Sequence, residues 1–209
     1  MPEIVRFLLS KGCKTTTINS AAFFGELDHV KELFENGVNV NSKDSCSYTP
    51  LHCAVFGEHF NVVEFLISHG ADVNAKNLRG VTPVMYARPA NIVGILLENG
   101  ADVNIKSIGS GETALHVAAN RGNEEVVKLL LESGADTNSK CPTTHGGWEG
   151  FTPFHVACSR GNIQIVNMLL DHGADINIKT DTGKTPMSLA QQEGYPDVVE
   201  LLRERGAEE

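Results

Sequence analysis

The chain has no apolar run of the roughly 18 residues that a membrane-spanning helix needs, so no membrane span is expected. It is also short of basic residues, with 17 Lys and Arg against 26 Asp and Glu and a formal net charge of −9. Phosphate binding needs clustered Lys and Arg, so neither nucleic acid nor an anionic membrane is the expected partner. The opening stretch MPEIVRFLLSKG has no basic segment followed by an apolar one and makes a poor signal peptide. The five cysteines, Cys13, Cys46, Cys53, Cys141 and Cys158, are odd in number and scattered, with no CxxC pair. Reduced thiols in an intracellular protein, cytoplasmic or nuclear, are the simplest reading. HExxH, GxSxG and Walker-type GxxxxGK[ST] patterns are absent too. No catalytic set, metal or cofactor is expected, and the chain does not read as an enzyme.

What the chain does have is a unit. Residues 111–138 read GETALHVAANRGNEEVVKLLLESGADTN. Thr113 can cap a first helix by accepting from backbone N–H groups that the first turn leaves unpaired. Leu115, Ala118 and Ala119 share one face of it. Gly122 and Asn123 break it. Val126, Leu129 and Leu130 repeat the spacing on a second helix, and Val127 and Leu131 widen its apolar stripe. Gly134 suits the left-handed residue that closes a helix. Helices this short are unstable alone in water, and the pair cannot enclose its own stripe. It needs a neighbour.

The neighbours are in the chain. The closing glycine recurs at Gly12, Gly37, Gly70, Gly100, Gly134, Gly173 and Gly206. GADxN-type text follows it at 37–41, 70–74, 100–104, 134–138 and 173–177. The opening motif recurs as TPLH at 49–52, TPVM at 82–85, TALH at 113–116, TPFH at 152–155 and TPMS at 185–188. A period near 33 residues with this opening resembles the ankyrin repeat, a turn followed by two helices. The resemblance covers nearly the whole chain. It implies an all-α ankyrin-repeat solenoid, with stacked helix pairs joined by short β-hairpin loops. The expected layout is a half repeat at 1–14 and a degenerate repeat at 16–44. Repeats follow at 49–76, 82–106, 113–140 and 152–179, and a polar capping repeat at 185–209 closes the array.

Several copies depart from the pattern. Glu58 stands at the usual inter-helix glycine position. The third copy is short between its helices, with Arg88-Pro89 at the junction, so proline should end its first helix early. The loop CPTTHGGWEGF before Thr152 is longer than its counterparts. The half repeat at 1–14 should leave an apolar face uncovered. That points to further chain upstream or to self-association through residues 1–14.

His52, His116 and His155 lie in the opening motifs, a repeat apart, and read as structural rather than as metal ligands. In the resembled family this histidine bonds within its repeat and to the next. His69 and His172 precede closing glycines, where a helix C-terminus favours cationic character. The GADxN aspartates read as turn formers. The family resemblance also implies that Asn74, Asn104, Asn138 and Asn177 could be hydroxylated, with Leu66, Leu96, Leu130 and Leu169 at the required spacing. The asparagine has a turn role in every repeat, so that match is nearly automatic.

Specificity must then reside in non-repeating positions at turn tips and first-helix ends. The candidate partner-binding residues are Tyr48, Phe56, Leu78, Arg79, Val81, Ile108, Glu112, Arg121, Trp148, Phe151, Arg160 and Lys184. Tyr48, Val81, Glu112, Phe151 and Lys184 share one slot, immediately before the opening threonine. Aromatic and arginine side chains are enriched where interfaces bind tightly. Trp148 either folds back onto its own repeat or meets a partner. Phe23 and Phe24 are expected to pack against residues 1–14.

The resemblance implies a non-catalytic protein–protein interaction scaffold, binding through the concave surface of turns and first helices. A substrate-recruiting segment of a larger enzyme is the alternative. The net charge favours a partner with a basic patch, for reasons of steering.

Overall fold

A computed structural model describes residues 17–142 and 148–208. The half repeat at 1–14, its exposed face and any packing of Phe23 and Phe24 against it lie outside the described residues. So does the middle of the long loop, 143–147.

Among the described residues there are twelve helices and no strand. They come in pairs: α1 (Ile18–Phe24) with α2 (Leu27–Glu35), α3 (Pro50–Phe56) with α4 (Phe60–Ser68), and α5 (Pro83–Tyr86) with α6 (Ala90–Glu98). After these come α7 (Ala114–Arg121) with α8 (Glu124–Glu132), α9 (Pro153–Arg160) with α10 (Ile163–Asp171), and α11 (Pro186–Glu193) with α12 (Pro196–Glu204). First helices pack on first helices and second on second, each against its sequence neighbour in the array. The core is accordingly a strip that runs along the stack, from Ile18 and Val30 to Leu202. Leu51, Leu66, Leu115, Leu130 and Leu169 lie along it, each at most 1% exposed. Burying a leucine in this way stabilises by roughly 1.5–3 kcal/mol.

The opening motif explains where the first helices begin. Thr49, Thr152 and Thr185 have extended backbone and their side chains accept from the amide three residues on. Proline at the first helical position adds no missing bond there. In the first repeat the counterpart is Thr17, which caps through Ser20. The closing glycines from Gly37 to Gly206 all have φ between 80° and 88°, the left-handed region that costs other residues energy.

The repeat at α3–α4 violates this economy twice. Glu58 has φ 62° and Ser47 φ 61°, where four other repeats place glycine in each case. The Glu58 carboxylate reaches Arg88 at 3.9 Å, but both side chains are about half exposed, so the pair offsets little of the strain. At α5 proline acts as expected. The helix has only four residues, and Pro89 stands as the cap of α6.

The connections between pairs carry isolated backbone bonds rather than strands. Within each turn one amide returns to the slot before the threonine, as in Asn77 to Val81 at 3.2 Å and Thr180 to Lys184 at 2.9 Å. Turns also bond to each other, Leu78 N–H to Cys46 O at 3.1 Å and Ile108 N–H to Arg79 O at 2.7 Å.

The asparagine of each GADxN segment ties its repeat to the next. Asn41 donates to Gly70 O at 2.9 Å and accepts from the Asp72 amide at 2.8 Å. Asn74, Asn104 and Asn138 do the same one repeat further on each time. The neighbouring aspartates form local turns, Asp72 accepting from the Asn74 amide at 2.9 Å.

Replacing Leu130 by alanine should lower stability by about 2–5 kcal/mol, read as a fall in the urea midpoint. Glu58→Gly should do the opposite, raising stability by about 1 kcal/mol through relief of left-handed strain. A midpoint lower than wild type for Glu58→Gly would show that the strain assignment is wrong.

Candidate functional site

On the face formed by turns and first helices, two shallow hollows lie side by side and share one residue, Tyr86. The first, of about 230 Å³, is lined by Phe23, Tyr48, His52, Cys53, Phe56 and Tyr86. The second, of about 270 Å³, is lined in part by Arg79, Val81, Ile108, Glu112 and Arg121.

The first hollow is aromatic. Phe23 stacks with Phe56 at 5.9 Å between ring centroids, and Phe56 meets Tyr86 edge-on at 5.6 Å. The Tyr48 and Tyr86 hydroxyls lie 2.8 Å apart and share a hydrogen bond. Burial, together with the Tyr86 hydroxyl, pushes the Tyr48 phenol up to about 12, so it stays neutral. Burial and then the nearby Asp44 carboxylate push the Cys53 thiol up to about 12. A thiol so disfavoured as thiolate is a poor nucleophile. Phe56 remains 52% exposed, which costs the fold and leaves an apolar face available.

The second hollow exists because α5 stops early. Arg121 reaches back from the end of α7 and donates to the Tyr86 and Ala87 carbonyls, at 3.4 and 3.3 Å, that the short helix leaves unpaired. Asn123 donates to Arg88 O at 2.8 Å. Ile108 stands over the hollow at the tip of the next turn, 70% exposed.

The histidines play a structural part in this face. The Thr49 amide donates to His52 Nδ1 at 3.2 Å, and the Thr49 hydroxyl lies 2.9 Å from the same nitrogen. Nδ1 is therefore the acceptor, and Nε2–H donates across to Val81 O at 3.0 Å. His116 and His155 repeat the arrangement, with Phe151 O and Lys184 O as their cross-repeat acceptors. The shared slot before the threonine thus has a structural backbone and a variable side chain. In the third repeat Met85 replaces the histidine, and the buried Thr82 hydroxyl, which has no hydrogen-bond partner in the structure, lacks the ring its counterparts meet. His69 and His172 donate from Nδ1 to Phe65 O and Met168 O, carbonyls at the ends of α4 and α10.

The twelve candidate residues separate into groups. Tyr48 and Phe56 line the aromatic hollow, and Arg79, Val81, Ile108, Glu112 and Arg121 line the second. Leu78 is 65% exposed at a turn tip. Arg160 is linked to the second hollow through Asn120, its Nε donating to Asn120 Oδ1 at 2.8 Å. Lys184 turns to Gln192 Oε1 at 3.1 Å on its own repeat. Trp148 folds back and stacks on Phe151 at 5.6 Å. Phe151 is only 8% exposed and packs between the Trp148 and His155 rings. Tyr86 and Phe23 were not among the candidates. Tyr86 carries a signal in the sequence, an aromatic in the slot that Cys53, Val117, Val156 and Leu189 occupy elsewhere. Phe23 also stands out as a non-repeating aromatic, but its stacking on Phe56 of another repeat is not readable along the chain.

Charge is distributed unevenly within the repeats. The halves of the repeats that hold turns and first helices (17–25, 42–58, 76–89, 105–122, 140–161 and 178–194) carry ten Lys and Arg against six Asp and Glu. The halves that hold second helices and GADxN segments carry four against eighteen among the described residues. The second helices hold most of the negative charge, while Asp44 and the GADxN aspartates Asp72, Asp136 and Asp175 lie near enough to the first-helix histidines to act on them.

A family model for ankyrin repeats matches three overlapping copies, over residues 18–107, 76–141 and 115–209. The chain belongs to the ankyrin-repeat family. No curated protein matches it. Ankyrin repeats generally mediate protein–protein interactions, and among the described residues of this array no helix is long and apolar enough to cross a membrane.

Burial holds His116 and His155 down to about 4, below the ordinary 6.5, and lowers His52 as well. The native array therefore takes up fewer protons than the unfolded chain once pH falls below 6.5. Stability from the neutral rings is complete above that pH and is lost as pH falls toward 4. Between pH 7 and pH 5 the loss should be on the order of 2 kcal/mol for each of His116 and His155. Urea titrations at the two pH values would measure it, and equal midpoints would contradict the neutral assignment.

Proposed function

We propose that the ankyrin array is a non-catalytic binding module that holds a partner protein on its turn and first-helix face, centred on Tyr86. The observation that carries this reading is the pair of adjoining hollows, with Phe56 and Ile108 exposed at their rims. Exposed side chains of this size contribute little to the fold, and large aromatic, aliphatic and arginine groups are the usual anchors of an interface. The surrounding scaffold is tied repeat to repeat by the asparagines and histidines. A partner then meets a preformed surface and little ordering opposes binding. The chemistry of the hollows supports binding rather than reaction, with a neutral Tyr48 phenol, a protonated Cys53 thiol and a His52 ring engaged at both nitrogens.

The test is affinity capture from native lysate with wild type and a Phe56→Ala, Ile108→Ala, Arg79→Ala variant. The variant should remain folded with a urea midpoint only slightly below wild type, and lose a partner that wild type retains. Equal retention of every partner by both proteins would place the binding surface elsewhere.

A further inference from the structure

The same face carries a row of lysines. Lys43, Lys76, Lys106, Lys140 and Lys179 each fall two residues after the asparagine that joins one repeat to the next, or after its counterpart in the last, and all are exposed. Three of the five are tied to a neighbouring turn. Lys106 Nζ donates to Lys140 O at 3.1 Å, and Lys140 Nζ to Lys179 O at 2.7 Å. Lys43 reaches toward Lys76 O at 3.5 Å. An ammonium group has three donors, so each of these keeps two for another acceptor. Lys43 also acts electrostatically on His52, which lines the first hollow, so this end of the row lies near the anchor site; Asp44 and Asp72 act on the same ring and offset part of its effect.

We propose that this face docks an acidic peptide segment of the partner protein, with an apolar side chain seated in the Tyr86 hollows and its carboxylates along the lysine row. This rests on the binding role proposed above and names the chemistry of the partner. Three observations combine. The hollows take an apolar anchor, and Phe56 and Ile108 flank them. Arg79, exposed at the turn before α5, lies close enough to Tyr48 to act on its phenol, so a positive group borders the anchor site. Lysines recur once per repeat along the turns, a spacing that suits an extended chain crossing several repeats, and those at 43, 106 and 140 are tied to the next turn.

The acidic second-helix side does not prevent this. Exposed charges further apart than about 8 Å are largely screened at physiological salt, so a segment lying on the face responds chiefly to the lysines and arginines there. A long polyanion such as RNA would extend beyond the face and meet the carboxylates of the second helices.

The experiment uses the full chain and a peptide array in which acidic residues flank a single Leu, Ile or Phe. Control arrays carry Lys in place of each acid, or Ala in place of the anchor. Acidic anchored peptides should bind, and binding should weaken as salt rises. Lys106→Glu and Arg79→Glu should each weaken it by about three- to tenfold, while Lys128→Glu on α8 should leave it unchanged. Equal or stronger binding of the lysine array, no binding to any array, or equal binding of a single-stranded RNA oligonucleotide would each overturn the proposal. A native partner lost from the Phe56, Ile108, Arg79 variant, yet held by Lys106→Glu as by wild type, would also overturn it while leaving the binding role standing.

Discussion

One asparagine side chain per repeat holds this protein in register. Its amide donates to the closing glycine of the following repeat and its oxygen accepts from the aspartate amide just beyond, as Asn41 does with Gly70 and Asp72. Both ends of a planar amide are used, so the distance and the rotation between neighbours are set together. The apolar stripes supply most of the driving force, because no helix pair can cover its own stripe, but burial is indifferent to small slips. The asparagine bonds are directional. They convert a greasy stack into one whose turns fall in a row.

That row is what makes a surface. A lysine two residues after each rung, a histidine bonded across to the next turn, and a variable side chain before each threonine are all brought to one side by the same repeat geometry. The histidines show how closely scaffold and surface are joined. The ring of His52 is fixed by Thr49 below and by the Val81 carbonyl across the gap, and its edge forms part of the aromatic hollow. Burial keeps the ring neutral, and the nitrogen that would take a second proton already accepts an amide hydrogen.

The candidate site sits where the pattern is most disturbed. Glu58 and Ser47 hold left-handed backbone, α5 is cut short by Pro89, and Thr82 has lost the histidine that serves its counterparts. A locally consistent sequence would have none of these, and such departures collect where a surface has been shaped for something other than stability. The cost of the short helix is partly recovered by Arg121 and Asn123, which take up its loose carbonyls and in doing so wall the second hollow.

Periodicity determined the architecture. Threonine, apolar stripe and closing glycine are local requirements of a helix pair, and their recurrence leaves stacking as the way to bury the stripes. The short α5 was legible for the same reason, since proline acts on its own helix, and so were Phe56, Arg79 and Ile108 as variable positions. What could not be read along the chain was adjacency across repeats. Phe23 stacks on Phe56, 33 positions away, and Tyr86 closes two hollows whose other walls come from different repeats. Phe151, a variable position like the others, is buried because Trp148 folds over it. Net charge is likewise a sum over the chain, whereas a partner meets one face, and only the stacking of first helices on first and second on second decides which charges share a face.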